Sequence, residues 1–539
     1  MQQGTARPAS FDAVVIGAGF AGIYALYRLR AMGLSVQALE AADDVGGTWY
    51  WNRYPGARCD VESMSYSYSF SPQLEREWIW TERYATQADI LRYLQHVVER
   101  FELRPLIRFR TRLAQASLDE SNARWRLRTD GGEPLTARFL IMATGCLSEP
   151  RLPAIAGLEN FDGRVYQTSR WPHEPVDFSA QRVGVVGTGS SGIQSIPVIA
   201  AQARHLTVFQ RTPNFSVPAH NGPLDPQQRQ ALMDNYPQFR QALRVSATSL
   251  APDSGVALPA AMELSPDERE RRYRAAWDEG GIGLLFCIAD AMVNKPANDT
   301  LAGFVRDRIR EIVTDPEVAE RLLPNDYPLG TKRLCVDTDY FATFNRPNVT
   351  LVDLRTTPII GATPGGLRTS VADFPLDSLV FATGFDAMTG ALLAIDICGR
   401  AGKRLADEWR DGPRTYLGVA ASGFPNLFMI TGPGSPSVLS NMVISIEQHV
   451  EFIVDLIASM RTRGATAVEA QADAQQAWVA HVAEVAETTL FPQANSWYMG
   501  ANIPGKPRVF LPYVGGVGPY RQKCEEIAAS GYAGFDLHG

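Results

Sequence analysis

The chain has 539 residues, of which 45% are hydrophobic and 20% are charged, and its formal net charge is −7. The length predicts two or three domains, and the composition is typical of a globular protein rather than a disordered or fibrous one. The negative charge disfavours a nucleic-acid-binding protein, because such a protein needs a basic surface that neutralises phosphates.

Cysteine and histidine spacing narrows the class of protein further. The six cysteines are dispersed without a C-x-x-C pair, and the seven histidines form no H-E-x-x-H motif. This pattern disfavours a disulfide framework, a zinc site and a dithiol reductase. The apolar run from Gly281 to Ala289 is too short to span a bilayer, and the start of the chain is polar. We expect a cytoplasmic monomer without stable membrane association and without a nucleic-acid partner.

Residues 11–41 predict a strand, a glycine-rich turn, a helix and a second strand. Gly17, Gly19 and Gly22 form a G-x-G-x-x-G motif directly after a β-branched run. Glycines at these positions allow a tight turn, a close approach of the backbone to a pyrophosphate, and close packing of the helix on the strand. The first N–H groups of the helix can then bind the phosphates. Glu40 follows the second strand, where a carboxylate accepts hydrogen bonds from ribose hydroxyls, so we predict a dinucleotide site here.

The same design recurs after the predicted strand Val183–Val186. The motif of this second copy consists of Gly187, Thr188, Gly189, Ser190, Ser191 and Gly192. The residue that corresponds to Glu40 is Gln210, and Arg211 follows it. A carboxylate there would repel a 2′-phosphate, whereas an arginine pairs with it. We predict that the second site binds NADPH and that the first binds FAD; the alternative is that Arg211 is only a solvated charge at a strand end.

Two short apolar segments, Phe139–Gly145 and Val380–Phe385, each contain Ala-Thr-Gly at the end of a predicted strand. Such segments suit the crossings between a flavin domain and an inserted nicotinamide domain, although two unrelated buried strands would give the same pattern. Between them, residues 218–330 are rich in charged helix formers, and Ser265 and Glu268 form a capping box that starts a helix.

These patterns predict an α/β fold with two Rossmann-like dinucleotide-binding domains and a helical insertion. The predicted boundaries are residues 1–150 for the first part of the FAD domain, 151–217 for the first part of the NADPH domain, 218–330 for the helical insertion, 331–386 for the second part of the NADPH domain, and 387–539 for the second part of the FAD domain, which carries a substrate loop and a C-terminal segment.

Two further segments are recognisable. GGTWYWNRYPGARCD at Gly46–Asp60 and FDGRVYQTSRWP at Phe161–Pro172 resemble the signatures of type I Baeyer–Villiger monooxygenases. The resemblance extends from Phe11 to the segment that ends at Pro507, and GPGSPSVLSNM at residues 432–442 is similar to the phenylacetone and steroid monooxygenase branch. One position departs from the family fingerprint, because Gln167 replaces a histidine. The family places that residue between the domains, so we expect activity to be retained with altered coupling of the domains.

The resemblance implies an NADPH- and dioxygen-dependent enzyme that inserts one oxygen next to a ketone carbonyl through an FAD C4a-peroxide, and that also oxidises sulfides. The peroxide must stay anionic, and arginine supplies a fixed positive charge where a buried lysine can lose its proton. By resemblance, Arg333 is the active-site arginine and also stabilises the oxyanion, and Asp60 holds it in place. The alternative is that Lys332 and Arg333 are an ordinary surface pair.

The resemblance also assigns the other site residues. It places Gly47, Thr48, Trp49 and Tyr66 against the flavin; Lys332 with Arg211 and Thr212 on the 2′-phosphate; Trp497 over the nicotinamide; and Ser437, Val438, Leu439 and Met442 in the substrate pocket. The aromatic residues could instead be ordinary packing residues. Two other functions stay open: a related flavin monooxygenase acting on nitrogen or sulfur, and an NADPH-binding flavoprotein that does not oxygenate anything.

Overall fold

The computed structural model describes residues 8–251, 255 and 257–539. The strands are β1 Ala9–Ile16, β2 Val36–Leu39, β3 Ile107–Arg108, β4 Leu113–Asp119, β5 Arg124–Thr129, β6 Pro134–Met142, β7 Arg164–Gln167, β8 Arg182–Val186, β9 His205–Gln210, β10 Ser216–Pro218, β11 Cys335–Asp337, β12 Val349–Asp353, β13 Ile359–Thr363, β14 Gly366–Thr369, β15 Asp373–Pro375, β16 Ser378–Phe381, β17 Asp396–Cys398, β18 Leu427–Met429, β19 Ala467–Ala470 and β20 Phe535–His538.

The α-helices are α1 Phe20–Ala31, α2 Thr48–Trp51, α3 Pro72–Glu77, α4 Gln87–Arg100, α5 Ser190–Gln202, α6 Pro226–Asp234, α7 Tyr236–Val245, α8 Pro266–Glu279, α9 Lys295–Ile312, α10 Pro316–Leu322, α11 Tyr340–Thr343, α12 Gly390–Leu393, α13 Leu405–Glu408, α14 Met442–Thr462, α15 Ala472–Glu487 and α16 Val517–Ala529. Short 3₁₀ turns include Thr168–Arg170, Ser437–Leu439 and Trp497–Met499. Among the residues that the structure describes, no helix has the length and apolarity that a bilayer crossing requires.

The first sheet has the strand order β17-β4-β5-β6-β1-β2-β3, with β18 beside β6. Strand β1 pairs in parallel with both β2 and β6, and helix α1 makes the crossover from β1 to β2. Ala13, Val14 and Val15 in β1 are fully buried, as expected for a parallel strand that is covered on both faces. Helices α1, α4 and α14 contribute to the hydrophobic core that includes Val15.

The second sheet has the order β12-β9-β8-β16-β7, and all of its strand pairs are parallel. Helix α5 makes the crossover from β8 to β9, so this sheet repeats the β-α-β unit of the first. The two β-α-β units confirm the predicted α/β fold with two Rossmann-like units. Helices α6 to α10 lie between β10 and β11 in the chain, and the capping box of Ser265 and Glu268 starts α8 as predicted.

Each glycine motif packs against one Ala-Thr-Gly segment, and the contact is the same in both sheets. Strand β6 lies beside β1, and strand β16 lies beside β8. A Cβ atom on Gly17 would lie 2.6 Å from the carbonyl oxygen of Ala143, and one on Gly187 would lie 2.5 Å from that of Ala382. Both glycines also have positive φ angles, of 106° and 109°. The close approach of each alanine carbonyl oxygen therefore requires a glycine at the first position of each motif.

A pair of glycine substitutions tests this packing. A Cβ atom on Gly22 would lie 1.8 Å from the carbonyl oxygen of Gly17, whereas one on Gly303, in helix α9, would meet nothing within 4 Å. We expect Gly22→Ala to destabilise the chain by about 1–3 kcal/mol through overpacking, which lowers its melting temperature. Gly303→Ala should raise the melting temperature slightly, because alanine is favoured over glycine in a helix by roughly 1 kcal/mol. Equal melting temperatures for the two variants would contradict the close contact.

Candidate active site

A cavity of about 320 Å³ lies at the carboxyl ends of the parallel strands of the first sheet. Ligands of open α/β sheets bind at such an edge. Several residues predicted from the sequence line the cavity together: Gly17, Gly19, Glu40, Gly47, Thr48, Trp49, Tyr66, Val438 and Met442. Gly22 is not among the lining residues, because it packs against Gly17 within the turn.

Glu40 is held in place by the backbone of its own turn. Its Oε2 accepts a hydrogen bond of 2.7 Å from the N–H of Ala18, and its Oε1 accepts one of 2.8 Å from the N–H of Ala42. Burial raises the pKa of this carboxyl group, and the backbone hydrogen bonds oppose that shift. Each oxygen keeps a further lone pair, so the carboxylate can accept hydrogen bonds from ribose hydroxyls as the sequence predicts.

The cavity fits a flavin dinucleotide in two further respects. A Cβ atom on Gly47 would lie 2.9 Å from the Cα of Gly19, so the two glycines keep open a backbone surface that a pyrophosphate can approach. Ser169 also lines the cavity, and its buried Oγ has no hydrogen-bond partner in the described part of the chain. A buried polar atom without a partner is costly, so Ser169 marks a position where a ligand would supply one. Sequence reasoning missed this residue.

The aromatic residues beside the first glycine motif pack on one another. The indole N–H of Trp49 donates to the hydroxyl of Tyr66 over 3.3 Å, and the two rings form an edge-to-face pair with centroids 5.9 Å apart. Phe20, at the start of α1, packs edge-on against Tyr66 at 5.3 Å. The pair is therefore a packing element that also forms part of the cavity wall.

At the second glycine motif, Thr188, Gly189 and Ser190 form the turn into helix α5. The hydroxyl of Thr188 donates to the carbonyl oxygen of Thr212 over 3.1 Å, which joins the glycine turn to the segment after β9. Ser190, at the first position of the helix, contacts the Sγ of Cys335 at 3.3 Å. Ser191 and Gly192 follow in the first turn of α5.

Arg211, which follows β9 beside this motif, has two cationic neighbours, Lys332 and Arg151. Arg211 is exposed, and it forms no ion pair with any residue that the structure describes. Burial lowers the pKa of Lys332, and the nearby positive charge of Arg211 lowers it further. The same two causes lower the pKa of Arg151. Such mutual repulsion indicates a positive region that a phosphate would neutralise, and Arg151 was not predicted from the sequence.

Asp60 and Arg333 meet in a bidentate ion pair. The Nε of Arg333 donates to Oδ2 of Asp60, and its Nη2 donates to Oδ1, both over 2.8 Å. Burial alone would lower the pKa of Arg333, but the Asp60 carboxylate raises it well above its ordinary value. The remaining Nη1 donates to the carbonyl oxygen of Val438 over 3.3 Å. Because Val438 lines the cavity of the first sheet, the guanidinium lies beside the cavity wall.

Tyr498 is a second residue that sequence reasoning missed. It is buried beside Arg333: burial raises the pKa of its hydroxyl to about 12, although the positive charge of Arg333 and a hydrogen bond to it act in the opposite direction. Its ring lies 4.1 Å from that of the half-buried Trp497, centroid to centroid. The sequence offered one signal for Tyr498, namely its position directly after Trp497 in the chain.

The predicted substrate loop is split between the cavity and the core. Val438 and Met442 line the flavin cavity. Ser437 is fully buried with its Oγ 3.3 Å from the Sγ of Cys146, and Leu439 is half-buried in a hydrophobic cluster with Val438 and Met442. The structure therefore places two of the four predicted residues on the cavity wall and the other two behind it.

Gln167 ends strand β7, opposite Phe381 in β16 of the second sheet. Its Nε2 is buried, with no hydrogen-bond partner among the described residues. The 3₁₀ turn Thr168–Arg170 follows directly and places Ser169 at the cavity of the first sheet. Gln167 therefore lies on the segment that connects the second sheet to the cavity of the first.

The first comparison is with a family model described as pyridine nucleotide-disulphide oxidoreductase, which matches residues 14–249. That range contains both glycine motifs. The sequence contains no C-x-x-C pair, so the match reflects the dinucleotide-binding folds rather than a dithiol centre.

Relatives that match over nearly the whole chain define the family more narrowly than this model does. A Baeyer–Villiger monooxygenase of Pseudooceanicola batsensis is 43% identical over 529 residues, covering 97% of this chain and 96% of the relative. A phenazine N-monooxygenase of Lysobacter antibioticus is also 43% identical and covers 98% and 97%. A solved structure of oxidized steroid monooxygenase bound to NADP is 51% identical, with a TM-score of 0.94 and coverage of 98% and 100%.

Other structures with the same fold are described as complexes with FAD and NADP together. Together with the two β-α-β units and the cavity, these relatives assign the class of enzyme and its cofactors. The chain belongs to the type I Baeyer–Villiger monooxygenase family, flavoprotein monooxygenases that use FAD and NADPH.

Proposed function

We propose that this enzyme uses NADPH and dioxygen to insert one oxygen atom between the carbonyl carbon of a ketone and a neighbouring carbon, giving an ester or a lactone. The observation that carries the proposal is the bidentate ion pair of Arg333 and Asp60 beside the flavin cavity. The bound flavin, once reduced by NADPH, supplies the chemistry that activates dioxygen. The protein positions the reactants and provides fixed charge.

The geometry of the Arg333–Asp60 ion pair supports this role of the protein. Asp60 occupies the Nε and Nη2 of Arg333, so the guanidinium keeps one orientation and stays charged. Nη1 makes a long hydrogen bond of 3.3 Å to the carbonyl oxygen of Val438, and in our proposal this nitrogen donates to a ligand. A charged donor held in this way stabilises the negative charge that develops on the carbonyl oxygen of the substrate. Lysine could not replace Arg333, because lysine lacks the planar guanidinium group that forms two parallel hydrogen bonds to a carboxylate.

The remaining residues divide among binding roles. In our proposal the first glycine motif, Glu40, Gly47, Thr48, Trp49, Tyr66 and Ser169 hold FAD; the second motif with Arg211, Thr212, Lys332 and Arg151 holds NADPH; and Trp497 covers the nicotinamide. Val438 and Met442 set the size of the ketone that fits, as loop residues commonly do. We also propose the domain boundaries given above, with the NADPH domain divided by the helical insertion at residues 218–330.

A second candidate function is oxidation at nitrogen or sulfur. The phenazine N-monooxygenase is as similar to this chain as the Baeyer–Villiger relative, at 43% identity. A fixed arginine charge favours a nucleophilic oxygen donor that attacks a carbonyl carbon, whereas a lone pair on nitrogen or sulfur attacks an electrophilic one. The Arg333–Asp60 pair therefore favours ketones as the main substrates, and sulfide oxidation is proposed as a side activity.

The two candidates are separated by a substrate panel analysed by mass spectrometry. Aryl, cyclic and steroid ketones, an aromatic N-heterocycle and a thioether are each incubated with wild type and with Arg333→Ala. We expect esters or lactones from ketones with wild type, and a loss of at least about 100-fold in Arg333→Ala, because one oxyanion donor contributes roughly that factor. The FAD content should not change. Heteroatom oxidation without ketone turnover, or ester formation that survives Arg333→Ala, would refute the proposal.

The choice of NADPH over NADH depends on Arg211 in this scheme. We expect Arg211→Gln to raise the KM for NADPH by roughly 10- to 100-fold, because a charge-assisted hydrogen bond contributes about 1.5–3 kcal/mol. The KM for NADH should stay within about twofold, since NADH has no 2′-phosphate. Arg164→Gln is the matched control, because Arg164 is an exposed arginine in β7 of the same sheet. Equal effects on both coenzymes would contradict the assignment.

Gln167→His tests the coupling between the two cofactor sites. Gln167 buries an amide NH₂ group without a partner, and the family histidine would carry one ring N–H in its neutral form in place of the two amide donors. We expect the fraction of consumed NADPH that yields product to rise by about twofold, with FAD binding unchanged. Stopped-flow measurement of flavin reduction, together with quantitation of released hydrogen peroxide, separates faster reduction from better coupling. If neither quantity moves, Gln167 has no part in the coupling.

A further inference from the structure

His449 lies on α14, fully buried, and both of its ring nitrogens have partners. The backbone N–H of Thr431 donates to Nδ1 over 2.9 Å, and Nε2 lies 2.8 Å from the hydroxyl of Tyr520. The Tyr520 hydroxyl donates its single proton to the carbonyl oxygen of Leu417 over 2.5 Å. Nε2 must therefore carry the ring proton and donate to the oxygen of Tyr520. One neutral tautomer satisfies the whole chain of hydrogen bonds.

Thr431 connects this chain of hydrogen bonds to the flavin cavity. It follows β18, the strand beside β6, and it is one of the residues that line the cavity. Its φ angle is +56°, which is unfavourable for a β-branched residue and must be maintained by its surroundings. Its carbonyl oxygen accepts a hydrogen bond of 3.1 Å from the Sγ of Cys146, another residue of the cavity wall.

The other polar groups of Thr431 cannot replace His449 in this role. The hydroxyl of Thr431 donates to the carbonyl oxygen of Ile430 over 2.7 Å, which is a contact within the same turn. The N–H of Ile430 donates to the carbonyl oxygen of Met142 in β6 over 3.0 Å, which fixes the strand end but not the turn. The contact to His449 is thus the one that holds the Thr431 N–H from outside the strand, across the interface with α14.

We propose that His449 is a positioning residue for FAD, which holds the turn at Thr431 in its left-handed conformation against the flavin cavity by accepting the Thr431 N–H. The proposal rests on FAD binding and not on the oxidation of ketones. Burial and the charge of Arg521 lower the pKa of His449 to about 3. A protonated ring would present a second donor to the Thr431 N–H, so the neutral form is the one that can make the contact.

The competing explanation is that His449 only fills the core between α14 and α16. Its ring packs on that of Tyr520 with centroids 5.6 Å apart, so a loss of stability alone would not distinguish the two explanations. Two polar substitutions at His449 distinguish the role of Nδ1 from that of Nε2. The Oδ1 of asparagine reaches the place of Nδ1 and can still accept the Thr431 N–H, whereas the longer glutamine places its amide near Nε2 and keeps only the Tyr520 contact.

The experiment compares His449→Asn with His449→Gln in the full-length enzyme. FAD is removed from each variant, and the apoprotein is titrated with FAD while flavin fluorescence and the visible absorption spectrum are recorded. We expect His449→Gln to raise the Kd for FAD by roughly tenfold and to shift the flavin spectrum, because it loses the hydrogen bond to a buried N–H. His449→Asn should stay within about twofold of wild type with an unchanged spectrum.

Melting temperatures of the apoproteins are measured alongside, and Tyr520→Phe is the control that leaves the Thr431 contact in place. It should resemble His449→Asn in FAD affinity. Equal losses of FAD affinity in the Asn and Gln variants, or losses that follow the apoprotein melting temperatures across all three variants, would overturn the proposal. Failure of both His449 variants to fold would overturn it as well, since His449 would then act through the core. None of these outcomes depends on which substrate the enzyme oxidises.

Discussion

The ion pair between Asp60 and Arg333 joins segments that are 273 residues apart in the chain. Asp60 follows the aromatic segment beside the first glycine motif, and Arg333 follows the helical insertion, so the pair forms only when both regions are folded against each other. A partly buried ion pair recovers little net stability, because desolvation offsets the attraction between the charges. What the pair does provide is a guanidinium fixed in its plane by two parallel hydrogen bonds. The third nitrogen contacts the cavity wall through the carbonyl oxygen of Val438.

A buried polar junction gives the helical insertion a similar link to the cavity. Arg240 on α7 forms an ion pair with Glu75, and its Nη1 donates to the carbonyl oxygen of Ser65 over 3.2 Å. The amide of Asn441, directly before α14, donates to the same carbonyl oxygen over 2.7 Å. Tyr66, which lines the flavin cavity, is the next residue along the chain. The insertion therefore contacts the turn that carries a cavity residue, while the charged residues of α8 other than Arg269 are exposed.

What the sequence could predict were the features that local spacing determines. The glycine motifs, Glu40, the strand–helix–strand order and the capping box at Ser265 all follow from residues that are near one another in the chain. The Arg333–Asp60 pair came only from family resemblance, because no local pattern relates two residues so far apart. Ser169, Arg151 and His449 had no such signal, and Tyr498 had only its place next to Trp497 in the chain. Each of them becomes notable through burial, an absent partner or a neighbouring charge, and those properties exist only after the sheets have formed.

The two β-α-β units also show why one local design gives unequal sites. At the first, Glu40 is turned toward the cavity because the N–H groups of Ala18 and Ala42 hold both of its oxygens. At the second, the equivalent Gln210 is fully buried, and its Nε2 donates to the carbonyl oxygen of Arg321 in α10 over 2.7 Å. The hydrogen bond to the insertion thus holds the Gln210 side chain, which could otherwise have bound a ribose. In our proposal, recognition at the second site therefore depends on Arg211, the residue after the strand, because a cation there favours a phosphorylated ribose over a free one.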